Sequence, residues 1–373
     1  MSKGTIAVVG AGIVGLAIAR SWAVRGYRVL LFERSPWAVG ASIRNFGMVW
    51  PVGQPAGTLY NRAMASRGIW QEVCRNAGIW HEATGSLHVA NHPLEAEAMQ
   101  ALAAHYADER AMQFLTPQQT LEVSPFVQPN GLLGALWSPH EVIVESREAI
   151  GAIRDYLCRT YAVESIHTTA ISRVENGKLW SGQKSWQADL VFICSGIDFE
   201  TLYPELFYSL PITKCKLQMM RLAGFNRQRI GPALCGGLSL IHYKSFAALP
   251  MVEALKKMYE TTLPEYIHWG IHVMACQNPY GDITIGDTHE YGWHHDPFDK
   301  AFLNKLVVDY LGRFTTLAQL PVAQSWNGMY AKMTDGSTEY VAQPDAGTWI
   351  VNGLGGAGMT LSFGLAEEIV GKL

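Results

Sequence analysis

Two hydrophobic periods run along this chain, and they change places at glycine-rich turns. Residues 6–9 form a short apolar run of the kind that makes a parallel strand buried on both faces. Residues 13–25 carry apolar positions at helical spacing, and 27–32 form a second buried-strand run that ends at Glu33. Helices are predicted over 59–77, stopped by Gly78, and over 93–114, with a strand at 85–90 between them. Thr116 starts another helix ending near Ser124-Pro125, 131–137 is strand-like, and 146–162 is an amphipathic helix with Ser146 as its cap. Strands follow at 166–174, 178–186 and 189–194, the first two joined by the turn signal Asn176-Gly177.

Farther on, period-two alternation at 214–222, 237–246, 266–277 and 281–288 predicts an antiparallel sheet, interrupted by helices near 250–260 and 297–311. The chain closes on a strand at 348–352, a glycine-rich loop and a helix reaching Lys372. It therefore opens and closes with strand–glycine loop–helix units. The expected class is α/β (α+β overall): a discontinuous Rossmann-type nucleotide domain (1–84, 146–213 and 326–373) with an inserted antiparallel-sheet substrate domain (85–145 and 214–325).

The opening unit carries the first chemistry. Gly10, Gly12 and Gly15 form a G-x-G-x-x-G turn between strand and helix. The first permits the tight turn, the second lets backbone approach a pyrophosphate, and the third allows close helix–strand packing. The helix N-terminus offers amides and a positive dipole end to the phosphates. Glu33 is placed to accept hydrogen bonds from an adenosine ribose, and its charge disfavours a 2′-phosphate there. An adenine dinucleotide other than NADP is expected.

Composition narrows the class further. The net charge of −3, with no basic run, gives no argument for nucleic acid. No apolar run approaches the ~18 residues of a membrane span, and Met1-Ser2-Lys3 leads straight into the first strand without room for a signal peptide. Six cysteines lack C-x-x-C spacing and suit indifferent thiols in a reducing compartment, so a cytoplasmic protein is expected. His294-His295-Asp296 is read as a solvated loop, because consecutive side chains do not converge on one ion, and no metal is expected.

Three separated pieces, the opening βαβ unit, the long loop 40–51 and the terminal 353–360 run, resemble one superfamily: the FAD-dependent glycine, sarcosine and D-amino-acid oxidases. The 189–196 and 281–288 segments match its mid-chain turn and late substrate-domain strand. The resemblance implies that Gly10, Gly12, Ile13, Val14 and Gly15 cradle FAD, with Glu33 and Arg34 beside its adenosine half. It places Gly47 and Met48 at the isoalloxazine, counts Ser42 and Asn45 among the FAD-binding residues, and sets Ala170 with its backbone against the adenine. Ser195 and Gly196 form the mid-chain turn. Gly353, Gly355, Gly356, Ala357, Gly358, Met359 and Thr360 would aim amides at the flavin pyrimidine, where a helix N-terminus stabilises negative charge on reduced flavin.

Departures from the family pattern narrow the substrate. The carboxylate-binding arginine position is Tyr330, a second arginine position is Gly356, and the cysteine that holds flavin covalently in some members is Gly328. Recognition of an α-amino-acid carboxylate in the usual way is thereby lost, and the FAD is expected to be non-covalent. The wording of 44–54 and 236–246 resembles a narrower subgroup linked to bacterial aminophosphonate breakdown. The implied reaction passes a hydride equivalent from the C–H beside a neutral amine to flavin N5. The imine then hydrolyses to an aldehyde and ammonia or methylamine, and O₂ reoxidises the flavin to give H₂O₂.

A phosphonate needs several cations or donors, because a near-dianion is costly to desolvate unpaired. Arg44 and Lys332 are candidates for that charge; His242, Tyr243 and Lys244 lie on an expected strand whose alternation puts His242 and Lys244 on one face. Trp50 and Tyr330 are candidate pocket walls, and His88 is a weaker candidate. Three classes of function compete: an aminophosphonate oxidase, a glycine-, sarcosine- or D-amino-acid oxidase or dehydrogenase, and a non-redox FAD protein.

Overall fold

A computed structural model of the chain describes residues 3–224 and 228–373. A six-stranded sheet runs in the order Tyr340–Asp345, Thr348–Asn352, Leu190–Ile193, Thr5–Val9, Arg28–Phe32, Val163–Ile166, parallel except for the first pair. Its strands are apolar on both faces for a physical reason. Ile6 and Val8 point into a core built with the helices Ile13–Ala23, Thr58–Ala77, Ser146–Thr160 and Gly358–Val370. Ala7, Leu30, Val191 and Ile350 point into a second core with Phe199 and Phe207. After Thr5–Val9 the chain crosses to one neighbour, while the other neighbour, Leu190–Ile193, arrives from mid-chain. A doubly wound sheet opens a crevice at such a switch point.

The terminal helix is fixed by close contacts. A Cβ at Gly364 would reach 2.5 Å from the Arg62 carbonyl oxygen, so the backbones of Gly358–Val370 and Thr58–Ala77 approach closely there. The Gly364 amide donates to Ser66 Oγ (2.9 Å), and the buried Trp70 indole N–H donates to the Met359 carbonyl (2.7 Å).

The other large layer is a nine-stranded sheet. It is antiparallel apart from the pairing of Ala233–Cys235 with Ser86–Ala90. Its longest pairing joins Ile212–Leu222 to Val322–Met333, in the register Cys215 opposite Tyr330 and Thr213 opposite Lys332. The period-two pattern does not reveal Val322–Met333, because its first four residues are all exposed and show no inside–outside contrast. This strand belongs to the nine-stranded sheet on both sides of residue 326. Small sheets complete the molecule: Arg173–Glu175 with Lys178–Ser181 and Lys184–Gln187, and Met48–Val49 with Val142–Val144 and His81–Glu82.

Several expectations need correction. Residues 237–246 are not a strand: Ser239–His242 is one helical turn, closed by bonds from Ser239, Leu240 and Ile241 amides to the carbonyls of Gly236, Gly237 and Leu238. Leu238, Ser239 and Leu240 are all buried, so alternation of residue type there did not mark alternation of faces. His242 and Lys244 therefore do not share a strand face. Within 266–277, Pro264 at a first-turn position starts the helix Pro264–His268, and only Met274–Gln277 is strand. The 93–114 helix ends at His105, before the strand Gln113–Leu115. The cap of Ser146–Thr160 is Glu145, whose side chain accepts from the Arg147 amide.

Candidate active site

The carboxyl ends of Thr5–Val9 and Leu190–Ile193 open into a cavity of about 670 Å³ that runs on to the nine-stranded sheet. At its near end Gly10 adopts φ +103°, and a Cβ there would lie 2.3 Å from the Cys194 carbonyl oxygen. Gly15 does not line the cavity; its Cβ would sit 1.8 Å from the Gly10 carbonyl oxygen, so helix and turn touch backbone to backbone. Gly12 instead meets only the Ser42 side chain, with Oγ at 3.0 Å, and faces the open space with Ile13 and Val14. The Ile13 amide donates to Ser42 Oγ (2.9 Å). Glu33 accepts from the Ala11 and Ser35 amides (both 3.0 Å), and Arg34 pairs with Asp198 at 2.8 Å.

The long loop forms the next wall. Asn45 shapes it, donating to the Ala41 and Ser42 carbonyls and accepting from the Gly47 amide (2.7 Å). Gly47, at φ +76°, turns away from the cavity, and its Cβ would strike the Val144 carbonyl at 1.9 Å; Phe46 and Met48 are the residues that face inward. The Trp50 amide donates to Thr360 Oγ1 (2.9 Å), tying loop to terminal helix. Buried Glu141 accepts from the Val52 amide and Ser86 Oγ (both 3.0 Å), and burial pushes its carboxyl up to about 7. Asn352 joins the two glycine turns, donating to the Gly196 carbonyl and accepting from the Gly353 amide. Ala170, Ser195, Gly355, Gly356, Ala357 and Gly358 line the same cavity.

At the far end Val322–Met333 presses Tyr330 and Lys332 against the terminal glycine loop. Cβ atoms at Gly356 and Gly355 would lie 3.7 Å from the Tyr330 hydroxyl oxygen and 3.5 Å from Lys332 Cγ. Lys332 Nζ donates to the Tyr291 hydroxyl at 3.0 Å. Burial pulls the Lys332 ammonium below its ordinary pKa and pushes the Tyr330 phenol well above its own, so Tyr330 keeps its proton as a donor. Lys244 stands at the rim with Nζ on the Gly336 carbonyl (2.9 Å). Trp50 and Tyr243 pack 6.4 Å apart between centroids. Among the described residues lining the cavity the arginines are Arg34 and Arg44, and Arg44 donates to the Asn327 carbonyl (3.1 Å).

The fold also assembles a group that local sequence does not reveal. His242, His272 and His289, from three separate segments, have ring nitrogens within 4.8 Å of one another, with Asp287 beside them. The available signal was positional: Asp287 and His289 directly follow the fully buried strand Ile283–Gly286. His294-His295-Asp296 lies off the cavity, with the His295 ring against the Lys214 carbonyl and Lys216 Nζ on the Asp296 carbonyl. His88 is fully buried, held at about 3 by desolvation, and touches Trp50 and Phe246.

A doubly wound sheet with a glycine turn at its switch point, and one cavity leading from that turn to a second sheet, defines a two-layer dinucleotide enzyme class. Residues 5–371 match the family model described as "DAO: FAD dependent oxidoreductase", and the chain belongs to that family. It is similar to an opine oxidase subunit from Rhizobium meliloti, 25% identical over 352 residues, which is 89% of this chain and 83% of the relative. Its fold is similar to glycine oxidase from Geobacillus kaustophilus (TM-score 0.78, 20% identity, 100% of this chain and 95% of that one). It is likewise similar to iminodiacetate oxidase from Chelativorans sp. BNC1 (TM-score 0.75, 18% identity, 98% and 94%). No helix among the described residues is long and apolar enough to cross a membrane.

Glu33→Ala is expected to cost FAD retention. It removes the acceptor for two loop amides, about 1–3 kcal/mol if they stay buried, together with the group placed to meet a ribose. The ratio of 450 nm to 280 nm absorbance after gel filtration checks it; full occupancy would contradict that role.

Proposed function

We propose that this protein oxidises a small amine carrying a phosphonate, most simply 2-aminoethylphosphonate or its N-methyl derivative. FAD, held without a covalent link, supplies the acceptor for a hydride equivalent from the C–H beside the amine; the imine hydrolyses to phosphonoacetaldehyde and ammonia or methylamine, with O₂ reduced to H₂O₂. Gly10, Gly12, Ile13 and Val14 hold the pyrophosphate end, Glu33 the ribose, and Gly355 to Thr360 the pyrimidine edge. The fit rests on the glycine cradle, which a Cβ at Gly10 would fill, and on two helix N-termini that face one cavity.

The observation that carries the substrate reading is the far end of the cavity. Its fixed positive charge comes from Lys332, with Lys244 at the rim; the arginines lining the cavity are committed to Asp198 and to the Asn327 carbonyl. A lysine is a point charge with three donors, whereas the bidentate grip on a planar carboxylate belongs to arginine. Lys332, with the phenol of Tyr330 beside it in the cavity lining, therefore suits a tetrahedral oxyanion better than a carboxylate. Trp50 and Tyr243 wall the adjoining space, limit the substrate's size and exclude water from the reacting carbon.

The second reading is an amino-acid or imino-acid oxidase, favoured by the names of the similar proteins, opine oxidase, glycine oxidase and iminodiacetate oxidase. Anaerobic bleaching of the bound flavin near 450 nm separates the two. The panel is 2-aminoethylphosphonate, its N-methyl derivative, sarcosine, glycine and D-alanine. Bleaching by the phosphonates alone is expected. Bleaching by the amino acids alone would retire the phosphonate, and a flavin that none of the five amines bleaches would count against an amine oxidase.

A further inference from the structure

Inside the substrate end the lining supplies one lysine, Lys332, while Lys244 stands at the rim on the Gly336 carbonyl. The groups facing that space are Lys332, Tyr330, Tyr243, Asp287, the three histidines and, at the rim, Lys244, with Tyr291 against Lys332 outside the lining and Cys215 and His88 behind. Of these, Lys332 and Lys244 are the ammonium groups.

The histidines are placed to add to that charge. His242 ends the turn Ser239–His242 and is the exposed member of the three, open to the cavity. Its ring lies over that of His272, with centroids 3.7 Å apart and planes 33° apart, and 4.8 Å from that of His289. His289 is oriented from behind. Its Nδ1 is 2.7 Å from the Gly270 carbonyl, which can only accept, so Nδ1 carries the proton and Nε2, 3.8 Å from Asp287 Oδ2, is left unprotonated. His272 Nε2 lies 3.1 Å from Asp287 Oδ1, while its Nδ1 is buried without a hydrogen-bond partner.

Burial, with mutual repulsion and Lys332 adding to it, holds the three imidazoles neutral. His242 and His272 lie well below the ordinary histidine value, and His289 is at about 4. Burial likewise pushes the Asp287 carboxyl well above its ordinary value, which disfavours a negative charge beside a bound anion. Face-to-face rings send their nitrogen lone pairs alongside one another, not toward a common point. A shared metal ion, which needs Zn–N near 2.0–2.1 Å from each ligand, would require a ring to turn.

We propose that His242, His272 and His289 form a conditional cation: an oxyanion subsite that takes up a proton when a tetrahedral dianion binds beside Lys332. This deepens the phosphonate reading and rests on it for the identity of the natural ligand, though not for the proton uptake. Its purpose is electrostatic. A permanently charged cluster would be costly to bury in the free enzyme, whereas an imidazolium formed only against an anion is compensated as it forms. Because the complex holds more protons than the free enzyme, affinity rises as pH falls between the bound-state and free-state pKa values. Below the free-state values it levels off.

The test uses the FAD-loaded enzyme and sulfate, a dianion throughout the range, so that any proton comes from the protein. Calorimetric titration from pH 6 to 9 is expected to show sulfate affinity falling by up to about tenfold per pH unit for one linked proton. In His242→Gln/His289→Gln, with fold and FAD content checked by circular dichroism and absorbance, the slope should collapse toward zero. His242→Gln alone, at the member open to the cavity, is the variant that disturbs packing least and should at least reduce it. Lys332→Met should weaken binding at every pH while keeping the slope.

A pH-independent sulfate affinity, a slope that survives in the double variant, or no sulfate binding at any pH overturns the proposal. So does a stoichiometric transition metal that departs with these histidines. If 2-aminoethylphosphonate fails to bleach the flavin while the sulfate result holds, the substrate reading falls and the subsite stands.

Discussion

Gly15→Ala disrupts the nucleotide end of the molecule, whereas Gly12→Ala leaves it folded and deprives it of FAD. The two glycines stand three residues apart in one motif, yet their surroundings differ. A methyl group at position 15 would meet the Gly10 carbonyl oxygen at 1.8 Å and Val8 Cγ1 at 3.3 Å. Backbone cannot yield as a side chain can, so the cost should exceed the 1–3 kcal/mol typical of overpacking. A loss of ~3 kcal/mol corresponds to a fall in Tm of roughly 6–12 °C for a domain of this size. At position 12 the methyl would meet a serine side chain at 3.0 Å and otherwise project into the cavity. The apo-protein Tm should stay within about 2 °C of the parent, while the methyl occupies the space that a pyrophosphate needs. Thermal melts of both apo-proteins and flavin absorbance after gel filtration decide it. A parental Tm for Gly15→Ala would mean that helix and turn can separate without cost.

Lys332→Met should raise the KM for an aminophosphonate roughly tenfold to a hundredfold, with FAD content unchanged. The expected size is that of losing a hydrogen bond to a charged group, about 1.5–3 kcal/mol. Met keeps the length of the side chain and its contact with the loop at Gly355 while deleting the ammonium. Lys332→Arg should recover only part of the loss, because a planar fork does not reproduce a point charge. Steady-state kinetics on both variants, with flavin content as the control, settles the matter. An unchanged KM in Lys332→Met would remove this lysine from the substrate site.

Legibility varied with how local each signal is. The opening strand, turn and helix were readable because each rests on its own residues: β-branched strand positions, glycines where backbone must turn, apolar helical spacing. The closing strand Thr348–Asn352 and its helix were readable for the same reason. Segment 237–246 was misread, because leucines flanking a serine look alternating while the fold buries all three. Val322–Met333 went unseen as a strand because exposed residues open it, and its partner Ile212–Leu222 lies about a hundred residues earlier.

The same distinction separates the two ends of the cavity. By itself the sequence determined the α/β class, the dinucleotide turn, the acid at Glu33 and the inserted antiparallel layer, all of which follow from spacing within some thirty residues. Tertiary structure alone decided that Gly47 serves backbone packing outside the cavity, and that His242 opens onto it from a helical turn. It alone brought His272, Asp287 and His289 to Lys332. Those contacts join segments far apart in the chain, and a side chain's desolvation and charge environment come from whatever the fold packs against it.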